Sequence, residues 1–203
     1  MRPVYWCFSL LASLFISPNQ GANSGQPSPA APYEEPEAYR VYAAVLPIDG
    51  WYWEGSGTIL ILREIPPSQW TGSPREVLQG TGTTFAAEME PVFKSFEDVN
   101  RAPKQLNSEL NLHRAHQYVG RAELNAAFTK GNESAKRDQW EGFRQVFPNA
   151  AGYLMVSGVG FNADKTLALV YLEHHCGKDC GGAHFYVLQR REGVWVQYFP
   201  PGS

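Results

Sequence analysis

The chain has 203 residues, 43% of them hydrophobic and 18% charged, enough to build one sizeable core in one domain. Its 17 Lys and Arg against 20 Asp and Glu give a net charge of −3, and the basic residues gather only in pairs such as Lys136-Arg137 and Arg190-Arg191. No basic field exists to release counterions from nucleic acid, which argues against nucleic acid as a partner.

At the N-terminus, Arg2 and the free amine precede a thirteen-residue apolar run from Val4 to Ile16, which Pro18, Asn19 and Gln20 end. A spanning helix needs about 20 apolar residues, so the pattern predicts a secretory signal peptide over residues 1–24. Ala22 and Ser24 supply the small residues a signal peptidase reads; retention as an uncleaved anchor is the alternative. After cleavage no transmembrane span is expected, and the protein is expected to be exported, periplasmic or extracellular. Cys7 leaves with the signal, so Cys176 and Cys180 form the mature cysteine complement.

Residues 25–35 are rich in Gly, Ser, Pro and Ala, which predicts a disordered linker. The folded domain is expected over 36–203. Pro36 suits a first helical turn, Ala38, Val41, Tyr42 and Val45 recur at helical spacing, and Pro47 stops the helix. The run Thr58 to Leu62 reads as a buried strand closed by Pro66-Pro67. Ser68 to Thr84, rich in Gly, Thr and Pro, reads as a surface loop. A second helix is expected from Glu90 or Pro91 to about Arg101, with Val92, Phe93, Phe96 and Val99 on one face. A short strand over Ala115 to Val119 and helices over Arg121 to Phe128 and Asp138 to Phe147 follow.

From Tyr153 the period becomes extended, with apolar runs Tyr153 to Phe161, Thr166 to Glu173, Ala183 to Gln189 and Val194 to Phe199. Short turn-rich connections imply neighbouring antiparallel strands. The expected fold is α+β, N-terminal helices packed on a C-terminal antiparallel β-meander of about four strands.

Chemistry concentrates in the stretch from His174 to His184, HHCGKDCGGAH, which holds three of the chain's five histidines and two of its three cysteines. If Cys176 and Cys180 face each other at a hairpin tip, Leu172 faces His184, Tyr171 faces Phe185 and Ala168 faces Leu188. Opposed residues lie within disulfide reach, and an even cysteine count in an exported protein favours a structural disulfide. The same register puts His174 and His184 on the face of both cysteines, so Cys176, Cys180, His174 and His184 form an alternative zinc set; His175 points to the other face. A redox disulfide is a third reading, although the gap of three residues and the strand context differ from the usual redox pattern.

Other candidates are sparser. No Gly-x-Ser-x-Gly, His-Glu-x-x-His or phosphate-loop pattern occurs. His113 and His116 lack a completing ligand. Trp51, Tyr52 and Trp53 offer a stacking platform for a glycan or an apolar partner, and Asn132-Glu133-Ser134 is a glycosylation sequon.

The segment from Phe147 to Gln197 resembles a set of uncharacterised exported bacterial proteins. The resemblance rests on a Pro-x-x-x-Gly entry (Pro148 to Gly152), a Ser-x-Val-Gly-Phe-Asn strand (Ser157 to Asn162), an Ala-Leu-Val-Tyr strand (Ala168 to Tyr171), a Cys-Gly…Cys-Gly-Gly hairpin (Cys176 to Gly182) and a Gly-x-Trp-x-Val close (Gly193 to Val196). It extends more weakly back to Glu37. The resemblance implies no activity, and its pattern holds the cysteines and glycines without the flanking histidines, which favours the staple. The ending, Tyr198 to Ser203, departs from it. The expectation is a non-catalytic binding or envelope-associated domain; the alternative is a zinc-dependent enzyme or metal-binding protein.

Overall fold

A computed structural model describes residues 30–48, 56–67, 73–80, 87–107, 109–131 and 139–198. The expected signal peptide, the Trp51–Trp53 platform, the sequon at Asn132 and the divergent ending from Phe199 lie outside the described residues.

Order begins earlier than residue 36. Ala31–Tyr33 form strand β1, whose Tyr33 is buried. The spacer reading is corrected there because that one aromatic residue makes ordering favourable: its hydroxyl oxygen accepts a hydrogen bond from the Val159 amide at 2.9 Å. Helix α1 (Pro36–Val45) begins as its proline indicates, with the Glu35 side chain accepting from the Glu37 amide. Its buried residues are Ala38, Val41, Tyr42 and Val45, the four that helical spacing singles out. A short 3₁₀ turn, Leu46–Ile48, carries Pro47 where the α-helix ends.

Strand β2 (Thr58–Leu62) is buried on both faces. Ile59 and Ile61 enter one core, Leu60 and Leu62 another, so the continuous apolar run reflects an interior strand. β3 (Glu64–Ile65) follows. Within the expected surface loop lies a helix, α2 (Pro74–Gly80). It opens on a local cap that composition alone hides: Ser73 Oγ accepts from the Glu76 amide, and the Glu76 carboxylate accepts from the Ser73 amide, a capping box.

Helix α3 (Glu90–Val99) buries Val92, Phe93 and Phe96. Then come β4 (Lys104–Leu106), β5 (His116–Val119), α4 (Arg121–Gly131) and α5 (Gln139–Val146). The last strands are β6 (Ala150–Val156), β7 (Gly160–Phe161), β8 (Leu167–Gly177), β9 (Cys180–Arg191) and β10 (Val194–Gln197).

The fold is mixed α+β. The main sheet runs β10-β9-β8-β6-β2-β5, with β7 also on β8; a small sheet runs β1-β4-β3. The pairs β10/β9, β9/β8 and β8/β6 are antiparallel, as expected of the meander. The sheet does not stop there, because β2 pairs in parallel with both β6 and β5. Helices also alternate with strands along the chain instead of preceding them, which corrects the helices-first arrangement. The physical reason is β2: buried on both faces, it needs a neighbour on each edge and cover on each side.

α1 and the small sheet contribute to one core with Ile59, Ile61, Val170 and Leu172. On the opposite face, α4 and α5 cover β2 with an aromatic cluster that includes Trp140, Phe143 and Phe147, while α3 covers Leu167 and Leu169 of β8 and Val187 of β9.

The expected single strand Tyr153 to Phe161 is broken in two. Between β6 and β7 the backbone leaves the ladder, and its polar groups are taken by side chains from three directions. Asn100, fully buried, donates from Nδ2 to the Phe96 and Gly158 carbonyls at 2.8 and 3.0 Å and accepts from the Gly158 amide at 2.7 Å. Tyr42 donates to the Ser157 carbonyl at 2.7 Å, and Ser157 Oγ accepts from the Tyr171 amide at 2.8 Å. Gly160 passes so close to α3 that a Cβ there would lie 2.5 Å from the Phe96 amide nitrogen. Asn162 then closes the turn by accepting from the Thr166 and Leu167 amides.

Candidate functional site at the disulfide hairpin

β8 and β9 are eleven and twelve residues long, and their register matches the sequence expectation through Ala168↔Leu188, Tyr171↔Phe185 and Leu172↔His184. At the tip it shifts. A bulge between His175 and Gly177 pairs Gly177, not Cys176, with Cys180. Cys176 and Cys180 are nevertheless disulfide-bonded, with Cα atoms 5.1 Å apart, because one extra residue on a strand still leaves the two within bridging distance.

The strand alternation sorts the tip into two faces. On the core face, Cys176 packs against the main cluster. His174 and His184 share this face, as expected, and meet over Gly182: a Cβ at Gly182 would lie 3.0 Å from His174 Cε1 and 3.3 Å from His184 Nε2. With both sulfurs bonded to each other, neither is a thiolate ligand, and among the described residues no group of three or more His, Cys, Asp or Glu is arranged to hold a metal. The set Cys176, Cys180, His174 and His184 therefore needs the bond reduced before it can take zinc. His116 contacts the Arg114 carbonyl through Nδ1 at 3.1 Å and sets its ring edge-on to Tyr118.

The opposite face holds the arrangement that sequence reasoning missed. Tyr171, Glu173 and His175 follow one another at two-residue spacing on β8, which puts all three side chains on one side. His175 Nε2 lies 2.6 Å from Glu173 Oε1, and the Tyr171 hydroxyl donates to Glu173 Oε2 at 3.2 Å. The His175 ring stacks on Tyr153 of β6, centroids 4.6 Å apart and planes 17° from parallel; Tyr153 is its cross-strand partner. Hydrogen bonding to His175 holds the Glu173 carboxyl below its ordinary range despite the opposing effect of burial. Burial, then the Glu173 charge, pushes the Tyr171 phenol up to about 12. An ionised carboxylate only accepts, so Nε2 carries the hydrogen, and in the neutral form of the ring Nδ1 is an acceptor.

Directly across the ladder from His175 is Gly181. A side chain there would begin 2.9 Å from the His174 carbonyl oxygen and 3.7 Å from Nδ1, so glycine both permits the close strand approach and leaves that side of the ring uncovered. The space on that side continues into an open cleft of about 380 Å³, bordered by Glu173, His175, Lys178, Asp179 and the tip glycines. The side chains of His175 and Glu173 are 33% and 26% exposed, which suits groups fixed in place yet reachable from solvent. A Glu-x-His spacing inside an extended run was the available signal. Of the two cysteines, Cys176 packs toward the core, while Cys180 itself borders the cleft.

The chain was compared with family models, curated proteins and solved structures, and none of them matches it.

Proposed function

We propose that this is an exported, non-catalytic binding domain, periplasmic or extracellular and associated with the cell envelope. The disulfide hairpin organises its sheet and presents a polar cleft. The observation that carries the reading is the Cys176–Cys180 bond at the tip of the longest strand pair among the described residues. Disulfides persist where the surroundings are oxidising, and the apolar N-terminal run before a Gly, Ser and Pro rich stretch supports export. The resemblance to exported bacterial proteins supports the same location. The cleft offers hydrogen-bonding groups of both signs, Lys178, Asp179, Glu173 and His175, which suits recognition of a polar ligand.

The test is the mass of the protein recovered from its native compartment, alkylated under denaturing conditions, with a native measurement beside it. The expected result is a mature start near Gly25, two hydrogens missing and no alkylation. Two alkylatable thiols with a retained zinc ion would overturn the reading and favour the metal-binding alternative through Cys176, Cys180, His174 and His184.

A further inference from the structure

The cleft beside His175 offers a ligand a varied set of polar contacts. Its fixed wall is His175, locked by Glu173 at 2.6 Å on one side and by the Tyr153 stack on its face. A clamped ring presents Nδ1 without losing rotamer freedom on binding. Its rim is Lys178 and Asp179, which border the same space and make no ion pair among the described residues.

The sign and type of these groups select the ligand. An anion approaching Lys178 also meets Asp179 and the ionised Glu173. A cation drawn by those carboxylates meets Lys178. A metal ion finds no group of three ligating side chains among the described residues. A hydroxyl escapes this conflict, since it donates to Nδ1 or to Asp179 and accepts from the Lys178 ammonium. Several such groups on one small neutral body satisfy the cleft at once, and about 380 Å³ of open space has room for one sugar ring.

We propose that the cleft formed by His175, Lys178 and Asp179 binds a neutral polyhydroxylated ligand, one sugar residue of a free oligosaccharide or of an envelope polysaccharide. The proposal deepens the binding reading above and rests on it. It assigns recognition to the hairpin tip, a region distinct in sequence from Trp51–Trp53.

The experiment is a titration of the mature, oxidised protein with chitotriose and, separately, maltotriose, followed through backbone amide resonances, with glycerol and sodium acetate as controls. A parallel sedimentation with insoluble peptidoglycan separates a polymer ligand from a soluble one. The expected result is saturable movement of the amides of Lys178, Asp179 and Gly181 with at least one oligosaccharide or retention on the polymer, and little response to either control. Loss of one hydrogen bond to a charged group weakens binding about 10-fold, which is the effect expected for Lys178→Met and for Asp179→Asn. Both substitutions sit in an exposed turn, where folding does not depend on them. His175→Phe keeps an aromatic ring for the Tyr153 stack while removing Nδ1, and it is expected to weaken binding by a similar factor.

Equal responses to glycerol, a response to acetate alone, or affinities unchanged in all three variants would overturn the proposal, as would silence with every probe. Silence from a processed, disulfide-bonded protein removes the sugar and leaves a binding domain for another ligand. Free thiols in the native protein remove the stapled domain itself, whatever the titration shows.

Discussion

Two glycine-containing segments of this chain resemble each other in composition, and both bring chain close to chain, but one of them also borders open space. In Ser157 to Asn162, glycine permits contact. Gly160 lets β7 press against the α3 backbone, Gly158 places its amide on Asn100, and each polar group named there finds a partner. In Gly177 to Gly182, Gly181 and Gly182 also pass close, a Cβ on Gly181 falling 2.9 Å from the His174 carbonyl oxygen, but here glycine borders open space as well. Gly181 leaves the space beside His175 Nδ1 unfilled, and the rim carries Lys178 and Asp179 without ion pairs among the described residues. Closed hydrogen bonding and close packing mark scaffold, whereas fixed polar groups beside empty space mark a site.

The largest effect is expected at Gly160. An added methyl would fall 2.5 Å from the amide nitrogen and from Cβ of Phe96, so backbone must move. Gly160→Ala is expected to destabilise by about 3 kcal/mol, at the upper end for overpacking. Asn100→Ala removes the side chain that holds Gly158 and leaves its buried amide unpaired, for a loss of about 2 kcal/mol. Urea unfolding followed by tryptophan fluorescence measures both. Changes below half these values would mean that the segment is not the rigid spine described.

The staple comes next. Closing a loop this short contributes about 2 kcal/mol in the chain-entropy relation, so replacing Cys176 and Cys180 together by serine should lower stability by about that amount. The loss should be local. Amide exchange at His174 to His184 should accelerate, while Asn100, Gly158 and Phe161 keep their protection. Uniform acceleration would instead show that the hairpin tip and the spine open as one unit.

Much of this was legible in the chain. The pattern at Pro36 to Val45 gave α1 and its buried face, and the alternation around the cysteines gave the β8/β9 register, since a slip of one residue would turn every side chain to the other face. The broken strand at Ser157 was not legible, because an apolar run with glycines reads as continuous unless Asn100, far away in sequence, is known to lie beside it. β1 and α2 were hidden for the opposite reason: a single aromatic residue and one capping box decide them inside segments whose composition says loop. The Glu173–His175 pair needed only the strand period. A lone Glu-x-His on a strand has no motif of its own, so the pair carries little weight in the sequence until Tyr153 is known to stack on the ring.

Both regions hold raised phenols, Tyr171 among them at the tip, but the lowered carboxyl belongs to the tip. In the spine, burial raises the phenols of Tyr33 and Tyr42 above their ordinary value. The folded state then holds protons that the unfolded state releases above about pH 10, so this stability is complete below that point and is lost as pH rises through the folded values. At the tip, Glu173 is shifted downward. Its contribution is present above the ordinary glutamate value, about 4.3, and is lost as pH falls through the lower folded value. Tyr42→Phe should flatten the alkaline limb of a stability curve, and Glu173→Gln should flatten the acid limb at a cost near neutrality of about 1 kcal/mol. An unchanged alkaline limb in Tyr42→Phe, or an unchanged acid limb in Glu173→Gln, would contradict the assignment.

The smallest effect is expected at Gly177. Gly177 lies in the bulge opposite Cys180, its φ is not positive, and a Cβ built there meets nothing nearer than the Cys180 Cβ at 3.5 Å, an ordinary contact. Gly177→Ala is therefore expected to change stability by no more than about 0.5 kcal/mol, the usual range for a surface substitution. The new methyl borders the cleft, so the same variant should still alter ligand affinity. The same alanine substitution at Gly160 is expected to cost several times more stability while lying in a segment that borders no part of this cleft. If Gly177→Ala instead unfolds the protein as Gly160→Ala should, the tip is as tightly packed as the spine, and its open space is not available to a ligand.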